Sequence, residues 1–415
     1  MYTKRREQFI KQLEKNSVAI LFSGPQKKMS ADATYPFVVN TNFYYLTGIN
    51  QDNVTLLIIN GKFKVESFLF FDETDEALAK WVGHGLSHKE ASTISGINIT
   101  NIKSSSLFDM SITSTFFASR KNTYGVVDKV YLDLEKTTFY GEESCSDKFA
   151  KKIKDSFVGI EIKNCYPLIT NMRVYKGKEE VANIEKAIFI TNDGLKAIMK
   201  LKKDNACEYN YEAEYNYVLK NNNVNPSFPT IAASGGSATT LHYITNDAKV
   251  AKDGLILFDL GVKHNHYCSD ISRTYPVSGK FSKRQKEIYS IVLDANKKTI
   301  EWLKPGVTFQ EFLAFGRQVL IDGCKKIGLI KEDVEINNYY YHGLGHYLGL
   351  DVHDVGEYNA PFKEGIVITV EPGLYIAQEG IGIRIEDDVL ITKDGCINLS
   401  KGIIKEIDDI EEYMK

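Results

Sequence analysis

Six cysteines are scattered through the 415 residues with no CxxC spacing, which excludes a disulfide framework and the closed thiolate cage of a structural zinc site. They read as reduced, mostly buried thiols. Cys268, two residues from Asp270, reads as a wall residue because no second thiol lies near it in sequence. The balance of 51 Lys and Arg against 54 Asp and Glu leaves a net charge of −3, and no long basic run builds a local patch. Nucleic acid is therefore not an expected partner. No uncharged apolar stretch is long enough to span a bilayer, so no membrane association is expected. The start, Met1-Tyr2-Thr3-Lys4-Arg5-Arg6-Glu7, has basic residues with no apolar segment directly behind them. A cytoplasmic location is expected.

What is present is the composition of a soluble globular protein, 43% apolar and 25% charged, in a chain too long for one ordinary core. The first part alternates a charged helix, about residues 3 to 15, with apolar runs at Val18–Phe22, Val54–Ile59, Phe68–Phe71 and Val126–Leu134. That is the pattern of an α/β domain with a buried sheet, and Asn60-Gly61 marks a hairpin. A long amphipathic helix begins at about Lys178, with Val181, Ile184, Ile188, Leu195 and Ile198 along one stripe. The domain boundary is placed just before it, giving domains 1–169 and 170–415. Ser282 with Gln285 and Thr308 with Glu311 are capping boxes that start two more helices. Strands then return, and the second half is expected to be an α+β domain.

Asp259, Asp270, Glu371 and Glu386 lie in that half, and two of them follow apolar runs, Leu255–Phe258 and Ile366–Val370. Lys252-Asp253-Gly254 and Lys363-Glu364-Gly365 precede those runs, a faint internal similarity that suggests two matching turn, strand and acid units. Buried carboxylates without partners are costly, so several converging on one place imply cations between them. One imidazole, His346, joins them, and an oxygen-dominated set with a single histidine suits Mn, Fe, Co or Zn in a carboxylate-bridged pair. Any one Asp flanking a turn is ordinarily structural; the set of five carries the argument.

His342-Gly343-Leu344-Gly345-His346 has the outer spacing of an HExxH zinc helix but lacks its Glu. Two glycines would cost a helix about 2 kcal/mol, so a loop with close backbone approach is expected. His353 and His242 are the remaining candidates for catalytic imidazoles. In Gly382-Ile383-Arg384-Ile385-Glu386, alternation puts Arg384 and Glu386 on one side of a strand, where the guanidinium would hold a carboxylate ionised.

Taken together, Phe258-Asp259-Leu260-Gly261, Ser269–Thr274, His342–His346, Gly349–Asp354, Val370–Tyr375 and Gly382–Asp387 resemble the pita-bread metallopeptidases, and most of all aminopeptidase P. The first part is similar, more loosely, to the creatinase-type domain of that family, including Asn42–Gly48 and Trp81–Gly85. The resemblance implies an α/β creatinase-like N-terminal domain followed by an α+β pita-bread catalytic domain. It implies that Asp259, Asp270, His346, Glu371 and Glu386 hold two divalent ions, with manganese expected and zinc, cobalt or iron as alternatives. His242 and His353 would face the substrate, and His342 and Arg384 would stand behind the ligands.

The reaction implied is release of the first residue from Xaa-Pro-Yaa peptides. Two ions sharing a solvent molecule would acidify it, Glu371 would pass the proton to the proline nitrogen, and His353 and His242 would stabilise the oxyanion. Tyr375 is a candidate wall of the proline pocket. A homodimer or homotetramer is expected. The alternatives are a prolidase restricted to Xaa-Pro dipeptides, less readily a methionine aminopeptidase, and a non-catalytic peptide-binding protein of the same fold.

Overall fold

The computed structural model describes residues 1–116, 123–136, 138–201 and 205–415. It divides into two compact units, Met1–Met172 and Arg173–Lys415.

In the first unit a six-stranded mixed sheet runs in the order Ile102–Lys103, Val65–Phe70, Thr55–Asn60, Ser17–Phe22, Lys129–Leu132, Glu161–Asn164. Its central strand, Ser17–Phe22, pairs antiparallel with Thr55–Asn60 and parallel with Lys129–Leu132. Residues Ser17 to Leu21 are all buried, as a continuous apolar run requires when both faces of a strand are covered. Val18, Ile20, Leu57, Ile59, Phe70 and Val130 belong to one core cluster.

The first helix, Tyr2–Gln12, stops three residues short of the expected end because Leu13 turns extended. The hairpin is present, but its turn is Gly61 to Lys64 and not Asn60-Gly61. Asn60 ends the strand and is buried, its amide donating to the carbonyls of Leu13 and Glu14.

The second unit opens with the helix Lys178–Lys200, whose Ile184, Ile188, Leu195 and Ile198 are buried, with Val181 half-buried. Both capping boxes form, at Lys283–Trp302 and Phe309–Lys326. Two three-stranded antiparallel sheets position the site. One is Ile231–Ser234, Leu255–Leu260 and Ile271–Pro276; the other is Val367–Val370, Asp387–Ile391 and Cys396–Asn398. A ribbon of Gly373–Ile376 with Ile381–Arg384 completes the frame. Phe309, Phe312, Leu344, Tyr347, Ile368, Val370 and Val389 share a core cluster. Cys268 is buried, its thiol donating to the Leu350 carbonyl at 3.6 Å, and burial pushes its pKa up.

Candidate metal centre

Each sheet delivers two acids, by different registers. In the first, Asp259 pairs directly across the ladder with Ser272, and Asp270 lies two residues before Ser272, hence on the same face. In the second, the last ladder pair is Val370 with Asp387, and one step beyond it Glu371 and Glu386 stand opposite each other. Ser272 joins the two: its carbonyl accepts from the Glu386 amide at 3.0 Å, and its hydroxyl lies 3.1 Å from Asp259 Oδ1 and 2.6 Å from Glu386 Oε2.

His346 arrives on the irregular segment between Tyr341 and Leu350, which is a loop, as its glycines require. A Cβ at Gly345 would lie 2.1 Å from the Thr369 carbonyl oxygen; at Gly343 it would make only ordinary contact with the Gly345 backbone, 3.9 Å from its carbonyl oxygen. The backbone of His346 is clamped to Thr369, amide to Oγ1 at 3.0 Å and carbonyl from the Thr369 amide at 2.9 Å. Its Nδ1 is 3.0 Å from the Tyr347 carbonyl, so Nδ1 carries the proton and Nε2 offers a lone pair. That Nε2 lies 3.4 Å from Asp270 Oδ2 and 3.7 Å from Glu371 Oε1. Single donor atoms of Asp270, His346 and Glu386 all fall within 4.8 Å of one another.

Electrostatics make the fully ionised form of this arrangement unfavourable without added positive charge. Burial, and then Glu386 and Asp259, push the Asp270 carboxyl well above the usual range. Burial and Glu386 do the same to Glu371, and burial with Asp259 raises Glu386 to about 7. Asp270 Oδ1 is buried with no hydrogen-bond partner. Among the described residues, one guanidinium or ammonium lines the cavity of about 260 Å3, that of Arg384. It is already engaged, with Nη2 2.5 Å from Asp259 Oδ2 and Nε 2.7 Å from Ser272 Oγ. The orphaned oxygen, the free imidazole lone pair and the surplus of acids all fit divalent cations.

The outer residues form one hydrogen-bonded chain. Arg384 Nη1 donates to the Tyr375 hydroxyl at 3.0 Å, which donates to His342 Nε2 at 2.8 Å. His342 Nδ1 then faces the Gly343 carbonyl at 2.6 Å, with Glu371 Oε2 at 3.5 Å. Burial depresses His342 to about 3. Arg384 reaches Asp259 directly and Glu386 only through Ser272, a different partner from the one strand alternation suggested. His353 stacks on His346 with ring centroids 3.9 Å apart, and burial, then His346 and His242, lower it to about 4. His242 and His353 line the cavity from its exposed side. All ten residues singled out in the sequence thus meet at one place.

Three groups were not singled out. Ser272 is the hub just described. Asp388, buried behind the site, accepts from the Asp270 amide at 3.2 Å, and its Oδ1 has no partner. Burial, then Asp270 and Glu386, raise its pKa. Glu208, fully buried, accepts from Ser234 N at 2.6 Å, Ala248 N at 2.9 Å and the Tyr243 hydroxyl at 2.7 Å, tying down the segment that carries His242. Ser272 lies within the Ser269–Thr274 stretch and Asp388 follows Glu386-Asp387, the sequence signals that could have found them; Glu208 had none.

The profile of metallopeptidase family M24 matches residues 182–393, and that of the aminopeptidase P N-terminal domain matches residues 2–121. The Xaa-Pro aminopeptidase of Haemophilus influenzae is 33% identical, the match covering 100% of this chain and 96% of that protein. A solved structure of a putative aminopeptidase P from Bacillus anthracis is 45% identical with a TM-score of 0.95, covering 100% of this chain and 97% of the other. The Xaa-Pro dipeptidase of Pyrococcus furiosus is 36% identical, but over 66% of this chain and 77% of its own length.

Proposed function

The chain belongs to metallopeptidase family M24 and carries the aminopeptidase P N-terminal domain, and from that premise we propose that it is a metal-dependent aminopeptidase. Its substrates are peptides with proline second, Xaa-Pro-Yaa and longer. The observation that carries the metal requirement is the buried acid set of Asp259, Asp270, Glu371 and Glu386 around the His346 lone pair, with Asp270 Oδ1 unpartnered. These five residues are the proposed ligands of two divalent ions, manganese first, with zinc, cobalt or iron as alternatives. When bound, the ions supply Lewis acidity that acidifies water and polarises the scissile carbonyl.

The chain's own residues do the rest. Glu371, 3.4 Å from Thr369 Oγ1, takes the proton from the attacking water and carries it to the departing proline nitrogen. His353 and His242 hold the substrate and the developing oxyanion from the open side. Arg384, through Asp259 and Tyr375, fixes the orientation of one ligand and of His342 together. The proline leaving group comes from a tertiary amide without an N–H, so its pocket selects by shape and apolar wall; Tyr375 is not part of that wall, because it is buried behind the cavity with its hydroxyl bonded to His342 and Arg384.

The proposal keeps residues 1–169 as the creatinase-like domain and 170–415 as the catalytic one, in a cytoplasmic homodimer or homotetramer. Among the described residues no helix is long and apolar enough to cross a membrane. A dipeptidase reading has less support, since the matched dipeptidase aligns with only part of the chain. A peptide panel on manganese-loaded protein separates the two. Release of the first residue from Xaa-Pro-Yaa, with poor cleavage when alanine replaces proline, is expected. Cleavage of Xaa-Pro dipeptides with tripeptides inert would move the assignment to prolidase.

A further inference from the structure

The ladder that brings Glu371 and Glu386 opposite each other stops one pair short of them, at Val370 and Asp387. Beyond that pair the two backbones turn to other partners. The Glu371 amide donates to the Leu344 carbonyl at 2.8 Å and the Glu386 amide to the Ser272 carbonyl at 3.0 Å, while Pro372 has no N–H to give. The Ile385 amide still crosses to the Pro372 carbonyl, at 3.2 Å. A side chain from outside both strands closes the gap. Asn296, fully buried in the helix Lys283–Trp302, donates from Nδ2 to the Val370 carbonyl at 3.0 Å and to the Ile385 carbonyl at 3.4 Å.

Resting on the function proposed above, we infer that Asn296 is a positioning residue, which sets the spacing of the Glu371 and Glu386 carboxylates and through it the affinity for the pair of metal ions. The reason lies in the peptide planes. A peptide unit is rigid, so its carbonyl and the N–H of the next residue move together. The units Val370–Glu371 and Ile385–Glu386 are each held at both ends, by Asn296 on the carbonyl and by Leu344 or Ser272 on the amide. The two hydrogens of one amide group thus tie the backbones of both glutamates to a single atom. Without them, the carboxylates are free to drift apart by the few tenths of an ångström that metal ligation does not tolerate.

The orientation of Asn296 is fixed from behind. Its Oδ1 accepts from Lys405 Nζ at 2.7 Å, so Nδ2 must face the strands. Lys405 also pairs with Asp387, whose other cation, Arg273, donates to the Ser272 and Glu386 carbonyls at 2.9 and 2.6 Å. Asparagine is a poor helix former and costly to bury, and its helix neighbours Val292, Leu293 and Ala295 are buried and apolar. A leucine would serve packing alone; the two carbonyls need a donor.

The test is a manganese titration of the metal-free full chain, read by the electron paramagnetic resonance signal of the free ion, with kcat and KM on a Xaa-Pro-Yaa peptide alongside. Asn296→Leu keeps the volume and removes the donor. It should weaken binding of at least one ion about tenfold and lower kcat with little change in KM. Asn296→Asp keeps the Lys405 partner and loses the donor, so it should do the same, and it carries the test if the leucine variant does not fold. Asn398→Ala is the control, since it removes a different buried bond to Asp387, at 2.9 Å. It should lower stability in urea and leave the titration where it was. An unchanged titration in folded Asn296 variants overturns the inference and leaves the proposed function standing, and so does an equal loss in Asn398→Ala. Wild type that takes up no manganese or other divalent ion overturns both.

Discussion

Glu386 and Asp387 are neighbours in sequence and equally buried, yet their carboxylates live in opposite electrostatic worlds. Glu386 faces the acid cluster, where burial and Asp259 raise it to about 7. Asp387 points the other way, onto Arg273 at 2.6 Å and Lys405, with Asn398 donating at 2.9 Å. Burial pushes Asp387 up, but Arg273 and Lys405 more than offset it and hold it below the usual range. Asp354, clasped by Lys176 at 3.0 Å and Arg173 at 2.5 Å, behaves as Asp387 does. The chain neutralises Asp387 and Asp354 with its own cations and leaves the acid cluster, with Asp388 behind it, short of positive charge. That contrast, more than the number of acids, marks where external cations belong.

Asp270→Asn tests the contrast at its centre. Essentially all turnover and much of the bound metal should be lost, measured by peptide assay and elemental analysis. The metal-free variant should be no less stable than metal-free wild type, because a carboxyl that is costly to ionise in that place has been replaced by a neutral amide. Full activity in a chelated, metal-free sample would sink the metal reading altogether.

Arg273→Met probes the opposite region and should behave in the opposite way. Asp387 would keep Lys405 and Asn398 but lose its fully buried guanidinium partner, at a cost of about 3 kcal/mol in urea unfolding. A loss within experimental error would mean that the paired acids are not held as argued.

His353→Ala separates residues that carry the cluster's charge from those facing the substrate. Both metals should stay, and the rate should fall about a hundredfold. Loss of metal with unchanged activity per metal would reassign it to the ligand set.

Ser272→Ala removes the hydroxyl shared by Asp259, Glu386 and Arg384. A loss of about tenfold in metal affinity or rate is expected, and an unaltered metal titration would show that the hub is only packing.

Smallest, because it appears only in acid, is the pH response of Asp354. Its folded value is depressed, so the stability it contributes is fully present above the unfolded value of about 4 and is lost as pH falls through the folded one. Wild-type unfolding free energy should therefore fall more steeply below about pH 4 than that of Asp354→Asn. Parallel slopes would refute the pairing.

The apolar runs, the capping boxes at Ser282 and Thr308, and the strands leading to Asp259 and Glu371 were legible in the sequence, because periodicity and local hydrogen bonding act over a few residues. The Asn60-Gly61 hairpin was legible for a different reason from the one that operates, since Asn60 serves a distant backbone and Gly61 starts the turn. Acid identity was legible too, and so was the loop at His342 to His346. Pairing was not. Strand alternation separates Glu386 from Asp387, but nothing local says that Asp387 is neutralised and Asp388 is not, or that Arg384 takes Asp259 while Arg273 takes Asp387. Those choices depend on strand register and on which residues 100 or more positions away close the cavity. The sequence by itself determined which groups could bind cations. The tertiary structure decided which of them were left without a cation of their own, because a buried charge is priced by its neighbours in space, and these are set by packing.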